Sequence, residues 1–254
     1  MLKEIKNLLA FLTVLPFRMD VDCLADSARF MFLFPLIGAF LGLIAGAFGW
    51  VLSSYVLPVS VVGPISLGLI LLLTGLHHMD GLLDFGDGVM FHGSAERKIE
   101  IMHDQLTGAG AIGLTLMTYL VSAFSLSSFE VWIFIPGLIV VELSAKLSMV
   151  VGCWAGRSVH SGMNSPFMEI MHGKTGNLRL LGSFIISIAV SLPLFWFTRY
   201  WYAGLFVVIT GFLTALVMVK IAHRHFNGVT GDVLGATCEI SRMTCLVVLL
   251  VAVV

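Results

Sequence analysis

Charged side chains are scarce in this sequence, and its few cysteines lack metal-binding spacing. Asp, Glu, Lys and Arg make up 11% of the 254 residues, and the formal net charge is −1. A chain without a basic excess has no general attraction for nucleic acid, so we expect no nucleic-acid partner. None of the four cysteines forms a CxxC pair. This argues against a zinc finger or a disulfide framework and favours thiols in apolar surroundings.

Two further signatures are missing, those of a zinc hydrolase and of a cleaved signal peptide. The sequence has no HExxH, and the adjacent His77 and His78 would point to different faces of a helix. The apolar run near the N-terminus is interrupted by Pro16 and Arg18, and no small-residue cleavage site follows. We therefore expect residues 1–28 to form an interfacial, amphipathic N-terminal segment.

Apolar residues dominate what remains and predict the fold class. They make up 58% of the chain, and the mean hydropathy is +1.01. Stretches long enough to cross a bilayer fall at 30–52, 58–76, 109–129, 131–153, 180–198, 201–221 and 234–254. The last is the least regular, because Glu239 and Arg242 lie in its first half. The sequence predicts an all-α, polytopic membrane bundle of about seven helices, with residues 1–254 as a single membrane domain.

The distribution of Lys and Arg predicts the orientation of this bundle. Basic residues lie at the N-terminus and in alternate connections. The opposite connections, at 53–57, 127–130 and 199–200, contain a single basic residue, Arg199. The N-terminus and the polar loops should therefore face the cytoplasm of a multi-pass cell-membrane protein. Polar chemistry on one side favours an enzyme with cytosolic substrates. A cation transporter, the alternative, would need polar groups near the midplane and access from both sides.

Residues 77–110 hold much of the charge, and three aspartates there share a helical spacing. The stretch contains eight of the 14 basic and 15 acidic residues. Asp80, Asp84 and Asp87 stand at i, i+4 and i+7, so a helix would project them from one face. Carboxylates crowded in this way repel unless a cation lies among them. Oxygen ligands without thiolate favour a hard cation, Mg²⁺ first and Mn²⁺ second.

Glycines and a second charged face support an active-site segment at 77–108. Arg97, Glu100 and Asp104 repeat the helical spacing and add one cation and two acids. The glycines interleaved with the acids would let backbone approach a ligand closely. The alternative is a solvated loop between two membrane helices, in which the acids simply face water.

Two other glycine-rich stretches predict different roles. In residues 226–242, the GVTGD run would present backbone N–H groups and the Asp232 carboxylate to a phosphate and its metal at a helix start. Glu239 lies seven residues further, on the same helical face as Asp232. The glycines at 38, 42, 46 and 49 recur near the helical period, which indicates close packing between helices.

These motifs together resemble the cobalamin 5′-phosphate synthase family, also called adenosylcobinamide-GDP ribazoletransferases. The run HHMDGLLDFGDG and the following RKIEIMHDQLTGAGAIG are similar to the family's HxDGLxDxxDG and IMxDxxxGxxG patterns. GVTGDVLGA, FLTVLPF and FPLIGAFLG are similar to further family segments in the same order. The residues that carry the central resemblance are His78, Asp80, Gly81, Asp84, Asp87, Gly88, Lys98, Asp104, Gly108 and Gly113.

The resemblance implies a Mg²⁺-dependent transferase of cobalamin biosynthesis. α-Ribazole or its 5′-phosphate would displace GMP from adenosylcobinamide-GDP and give adenosylcobalamin or its 5′-phosphate. Asp80, Asp84, Asp87 and Asp104 would hold Mg²⁺, and Asp232 would be a further ligand or the base that takes the hydroxyl proton. Contacts to substrate are expected from His78, Arg97, Lys98, Gly108, Thr230, Gly231 and Glu239.

Two points stay open at this stage. CDP-alcohol phosphatidyltransferases also carry DxxDG at the cytoplasmic ends of membrane helices, and Asp84, Asp87 and Gly88 fit that fragment. Their later GxxxDxxxD is not met, because Glu100 stands where an Asp is needed. The sequence is also compatible with both a monomer and a homo-oligomer in the lipid bilayer.

Overall fold

The computed structural model describes residues 2–18, 20–104, 106–159 and 162–253, and the elements in these residues are helices joined by turns and loops. The α-helices are α1 (Leu2–Leu12), α2 (Cys23–Arg29), α3 (Phe34–Tyr55), α4 (Val59–Leu73), α5 (His77–Met90), α6 (Ala95–Met102), α7 (Ala109–Ser127), α8 (Phe134–Ala155), α9 (Ser165–His172), α10 (Gly176–Phe195), α11 (Ala203–Phe226) and α12 (Gly231–Val253). Short 3₁₀ turns at Met31–Leu33 and Val131–Ile133 precede α3 and α8. The predicted all-α membrane bundle is confirmed.

Within the residues that the structure describes, six helical segments are long and apolar enough to cross a bilayer. They are Met31–Tyr55, Ala109–Ser127, Val131–Ala155, Gly176–Phe195, Ala203–Phe226 and Gly231–Val253. The last of these confirms the predicted helix at 234–254, the least regular of the seven stretches. Its charged residues Glu239 and Arg242 are paired inside the bundle. The predicted 58–76 stretch becomes the 15-residue α4, which is short for a bilayer. Counted together with α5, it would make the seventh span.

A sharp turn separates α4 from the acidic helix α5. Gly75 and Leu76 both adopt positive φ, at 63° and 61°, and the axes of α4 and α5 differ by 97°. Glycine adopts this left-handed conformation without steric cost, whereas it is uncommon for a leucine such as Leu76. With this bend, α5 runs across the starts of α7 and α12 instead of continuing along α4, and it lies outside the long spans.

Helix α8 is the centre of the bundle, and α3 packs on it at backbone distance. Every residue of α8 from Gly137 to Cys153 is buried. A Cβ atom on Gly38, Gly42 or Gly46 would lie 2.2 to 2.6 Å from a carbonyl oxygen of α8. The predicted packing role of these glycines is therefore confirmed.

The N-terminal segment covers one end of this bundle. In α1, Leu8 and Leu12 belong to the hydrophobic core, and the Asn7 side chain donates a hydrogen bond to Asp26, which lies in α2. The interfacial position predicted for residues 1–28 stays a prediction. The structure adds that α1 contributes its apolar face to the protein core, close to the end of the bundle that carries the acidic residues.

Candidate active site

The aspartates of α5 lie on one helical face, as their spacing predicted. Helix α5 contains Asp80, Asp84 and Asp87, and it crosses the first turn of α12. A Cβ atom on Gly81 would lie 2.8 Å from the Asp232 carbonyl oxygen. The contact between the two backbones brings Asp232, 145 positions along from Asp87, into the neighbourhood of the α5 acids.

Asp84 is the electrostatic centre of this group. Its side chain is half-buried, and burial together with the nearby Asp232, Asp80 and Asp87 carboxylates raises its pKa to about 7. Loss of water and repulsion by like charges both disfavour the ionised carboxylate. A site built in this way stabilises a cation, which would restore the charged form of Asp84.

Asp87 has a structural role in addition to its charge. Its carboxylate accepts hydrogen bonds from the backbone N–H groups of Gly108 at 2.6 Å and Ala111 at 2.8 Å. These groups begin α7, and such N–H groups have no partner within their own helix. Asp87 therefore fixes the start of α7 against α5. Gly108 is a predicted substrate contact, and its N–H group already donates to Asp87.

The α5 glycines also serve packing within the protein. Besides Gly81, a Cβ atom on Gly86 would lie 2.8 Å from the Gly110 carbonyl oxygen, and one on Gly88 would lie 2.5 Å from the Met102 side chain. The sequence predicts that these glycines let a ligand approach the backbone. This prediction is wrong for Gly81, Gly86 and Gly88, because neighbouring parts of the protein already fill the space.

Asp232 lies at the start of α12, where a neighbouring loop fixes the chain. The Thr230 hydroxyl donates to Asp232 at 3.3 Å and accepts from the Val233 N–H at 3.3 Å. The preceding loop is tied to the end of α8 by a bond from the Val229 N–H to the Arg157 carbonyl. Gly231 is exposed, and a Cβ atom there would meet nothing within 4 Å.

His103 also lies at the site, although the sequence motifs do not predict a role for it. Its Nε2 lies 3.8 Å from Asp232 Oδ2, and its side chain is half exposed. It follows the last residue of α6, directly before Asp104 in the IMHD run. Its place beside a motif aspartate is the sequence signal that could have identified it.

The remaining predicted charges of the acidic segment lie in other surroundings. Asp104 is exposed, and its carboxylate accepts from the Leu106 N–H at 3.2 Å. Arg97 forms an exposed ion pair with Glu100, its neighbour on α6. Lys98 is buried, and its Nζ lies 2.7 Å from His225 Nδ1 on α11. The structure therefore gathers Asp80, Asp84, Asp87 and Asp232, and it directs Lys98 to a protein partner.

A buried ionic network lies deeper in the bundle and includes the predicted substrate contact Glu239. Arg242 is hydrogen-bonded to both Glu239 and Glu142, and all three side chains are at most 1% exposed. These charged side chains belong to α8 and α12 and are enclosed within the bundle. Two acids and the cations Arg242 and Lys146 balance one another, so the buried charge is neutralised within the protein.

His78 faces this network instead of the aspartates. Its Nδ1 lies 3.4 Å from Lys146 Nζ and 3.9 Å from Glu239, and burial followed by repulsion from Lys146 keeps its pKa well below the ordinary value. The predicted substrate contacts His78 and Glu239 are thus engaged by protein groups. Both side chains are buried, and their contact with substrate stays a prediction.

Two sets of side chains could hold a metal, and their chemistry differs. In the described part of the chain, only His78, Cys238 and Glu239 form a set of three whose ligand atoms lie within 4.8 Å of one another. The Lys146 ammonium lies 3.2 Å from the Cys238 sulfur and 3.4 Å from His78 Nδ1, so it competes with a metal for two of these three ligands. The aspartates are more widely spaced. Such spacing suits Mg²⁺, which keeps several waters and commonly shares carboxylates with substrate phosphates.

The chain matches one protein family over almost its whole length. The sequence model of the cobalamin-5-phosphate synthase family matches residues 4–250. This match includes α5, α6 and the start of α12, which carry the aspartates described above.

Curated relatives agree with the family match. The adenosylcobinamide-GDP ribazoletransferase of Methanocella arvoryzae is 33% identical over 262 residues, covering 97% of this chain and 94% of the relative. The protein of the same name from Thermococcus kodakarensis is 31% identical over 244 residues, covering 96% of each chain. The one from Methanococcoides burtonii is 29% identical, covering 99% of this chain and 93% of the relative. No solved structure matches the chain significantly.

Proposed function

Because the chain belongs to the cobalamin-5-phosphate synthase family, we propose that the aspartates of α5 and Asp232 carry out the transfer reaction of that family. The protein is an adenosylcobinamide-GDP ribazoletransferase, which joins α-ribazole or its 5′-phosphate to adenosylcobinamide-GDP and releases GMP. The observation that carries this location is the crowding of Asp80, Asp87 and Asp232 around half-buried Asp84.

The reaction exchanges one bond to phosphorus for another. A ribose hydroxyl of the acceptor attacks the phosphorus attached to cobinamide, and a new O–P bond forms. The P–O bond within the diphosphate breaks, and GMP leaves with the bonding electrons and its negative charge. The hydroxyl proton needs a base. The product is adenosylcobalamin or its 5′-phosphate.

Asp232 is suited to take this proton. It is part-exposed at the first turn of α12, where the Thr230 hydroxyl donates to one of its oxygens and His103 lies 3.8 Å from it. The Thr230 hydrogen bond helps to orient the carboxylate, and orientation within reach of the hydroxyl is the first requirement for a general base.

Asp80 and Asp84 are the proposed principal ligands of Mg²⁺, with Asp87 beside them. When bound, Mg²⁺ neutralises the diphosphate and the charge that develops on the leaving GMP. Asp104, predicted as a fourth ligand, lies on the exposed loop that follows α6 and stays a candidate. Arg97, exposed on α6, stays a candidate for balancing phosphate charge.

The proposed site lies on the cytoplasmic side of the cell membrane. The long helices make the protein multi-pass. Support for the orientation comes from the Lys and Arg residues in the connections at the end that carries α5, α6 and the start of α12. Labelling of single cysteines introduced at Glu96 and Ser128 in intact cells tests it. We expect a membrane-impermeant reagent to reach only the residue-128 position from outside.

The activity itself is tested with purified protein in nanodiscs. The protein is incubated with adenosylcobinamide-GDP, Mg²⁺, and either α-ribazole or its 5′-phosphate, and the products are identified by mass. We expect GMP and a corrinoid carrying the ribazole in equal amounts. If the protein gave neither product but turned over a CDP-alcohol substrate, the fold assignment would stand and the substrate assignment would be contradicted.

A further inference from the structure

A cavity of about 780 Å³ opens beside Asp232, and the reaction described above does not yet account for it. It lies between α1, α8, α9 and the first turns of α5 and α12. Its inner wall is formed by deeply buried side chains such as Phe34, Cys153 and Phe167. Asp232, His103 and Gly231 lie at its more exposed side. Its volume is within the usual range for pockets that enclose small organic ligands.

The inner wall is aromatic and apolar. The rings of Phe11, Phe34 and Phe167 form a cluster, with centroids 5.3 Å apart for Phe11 and Phe167 and 6.0 Å apart for Phe34 and Phe167. Met149 and Leu234 complete this wall. Ring faces and edges of this kind pack well against a flat aromatic ligand, and methionine adapts to its outline.

The charge of the cavity wall does not favour a diphosphate inside the cavity. Among the described residues, those that line the cavity include no lysine or arginine, and its titratable side chains are Asp20, Asp232 and three histidines, His77, His78 and His103. Asp20 is paired with Lys6 at 3.4 Å. A diphosphate would find no fixed cation in this wall. A neutral aromatic base would bury its apolar surface without an unpaired charge.

Gly231 provides space at the exposed side of the cavity. It is the first residue of α12, next to Asp232, and a Cβ atom there would meet nothing within 4 Å. A group that lies against Gly231 therefore comes close to the Asp232 carboxylate. This is the arrangement needed if a sugar hydroxyl attached to the buried aromatic group has to lose its proton to Asp232.

We propose that this cavity binds the aromatic base of the ribazole acceptor, with its ribose against Gly231 and one hydroxyl near Asp232. The inference rests on the proposed function, because it assigns the acceptor to one side of the same site. The corrin ring, with its polar amide groups, and the diphosphate remain outside the cavity, over the α5 aspartates. Phe11, Phe34 and Phe167 are then residues that select the acceptor.

The test uses Gly231→Leu, because Gly231 lines the cavity and a Cβ atom there meets no protein atom within 4 Å. Gly113→Leu is the matched control, because a Cβ atom on Gly113 also meets nothing within 4 Å and this residue lies on α7, outside the cavity wall. Binding of α-ribazole to the solubilised protein is measured by equilibrium dialysis without corrinoid or metal. We expect binding to weaken by about tenfold or more in Gly231→Leu and to be unchanged in Gly113→Leu.

Three outcomes separate this proposal from the proposed function. Unchanged α-ribazole binding in Gly231→Leu, or weakened adenosylcobinamide-GDP binding with α-ribazole binding retained, would overturn the cavity assignment. If α-ribazole binds as expected but the unsubstituted protein gives no GMP, the reaction assignment fails and the cavity stands. Should Gly231→Leu not fold, Gly231→Ala is measured instead, with a smaller loss expected in the same direction.

Discussion

Gly81 and Asp232 bring two distant parts of the chain together, because a Cβ atom on Gly81 would lie 2.8 Å from the Asp232 carbonyl oxygen. This contact joins α5 to the first turn of α12 at backbone distance. The aspartates on α5 and the carboxylate on α12 can share one site only while it is preserved.

We predict that Gly81→Ala separates these helices and impairs both stability and turnover. The added methyl group has to displace backbone, and overpacking of this kind costs about 1–3 kcal/mol. Thermal unfolding in detergent and the rate of GMP release measure the two effects. Gly68→Ala is the control, since its Cβ atom would meet nothing within 4 Å. Equal behaviour of the two variants would contradict the contact.

Asp87 and Asp84 should respond differently to substitution. Asp87 accepts two backbone hydrogen bonds at the start of α7, so Asp87→Ala should lower stability by about 1 kcal/mol as well as activity. Asp84→Ala should leave stability unchanged or raise it, because it removes a half-buried carboxylate crowded by like charges. Unfolding curves of the two variants without metal decide this. A larger loss of stability in Asp84→Ala would contradict the division of roles.

The buried network should depend on Arg242. Replacing Arg242 by Met leaves Glu142 and Glu239 without their shared cation, and breaking a buried pair in this way costs about 3–5 kcal/mol. We expect strongly reduced thermal stability or loss of folded protein. Adding Glu142→Gln and Glu239→Gln should restore part of the loss. The exposed Arg199→Met serves as a control, and a comparable loss there would show that the effect is not specific to burial.

The affinity for Mg²⁺ should decrease as the pH is lowered. The Asp84 pKa lies at about 7 in the metal-free site, raised by burial and by Asp232, Asp80 and Asp87, with His103 beside Asp232. A bound cation needs the ionised carboxylate, so protons compete with it below the pKa. The Mg²⁺ affinity should therefore decrease by up to about tenfold per pH unit below 7. Titrations with Mn²⁺ as a spectroscopic probe measure this, and the same pH dependence in Asp84→Asn would contradict it.

Periodicity and spacing predicted the fold class and the acidic face. The apolar stretches predicted the long helices, and the spacing of Asp80, Asp84 and Asp87 predicted their common face on α5. Local sequence could not predict the 97° turn after α4, because leucine rarely adopts the positive φ that Leu76 has there. That turn is what brings α5 across α12.

Long-range contacts were also beyond the sequence. Glu142 and Lys146 lie within an apolar run, and their partners Glu239, Arg242 and His78 come from distant helices. Nothing in the local pattern of α8 identifies such pairs. For the same reason the sequence pattern indicates ligand contact for the α5 glycines, whereas Gly81, Gly86 and Gly88 pack against neighbouring parts of the protein.

The central claim is that Asp84 and its neighbours hold the cation that the transfer reaction requires. The most direct measurement is GMP release from adenosylcobinamide-GDP in nanodiscs, with α-ribazole as acceptor, for the unsubstituted protein, Asp84→Asn and the exposed Glu96→Gln. We predict Mg²⁺-dependent release that EDTA abolishes, a loss of roughly a thousandfold in folded Asp84→Asn, and near-normal rates in Glu96→Gln. Full activity of Asp84→Asn, or equal rates with Mg²⁺ and with EDTA, would contradict this account.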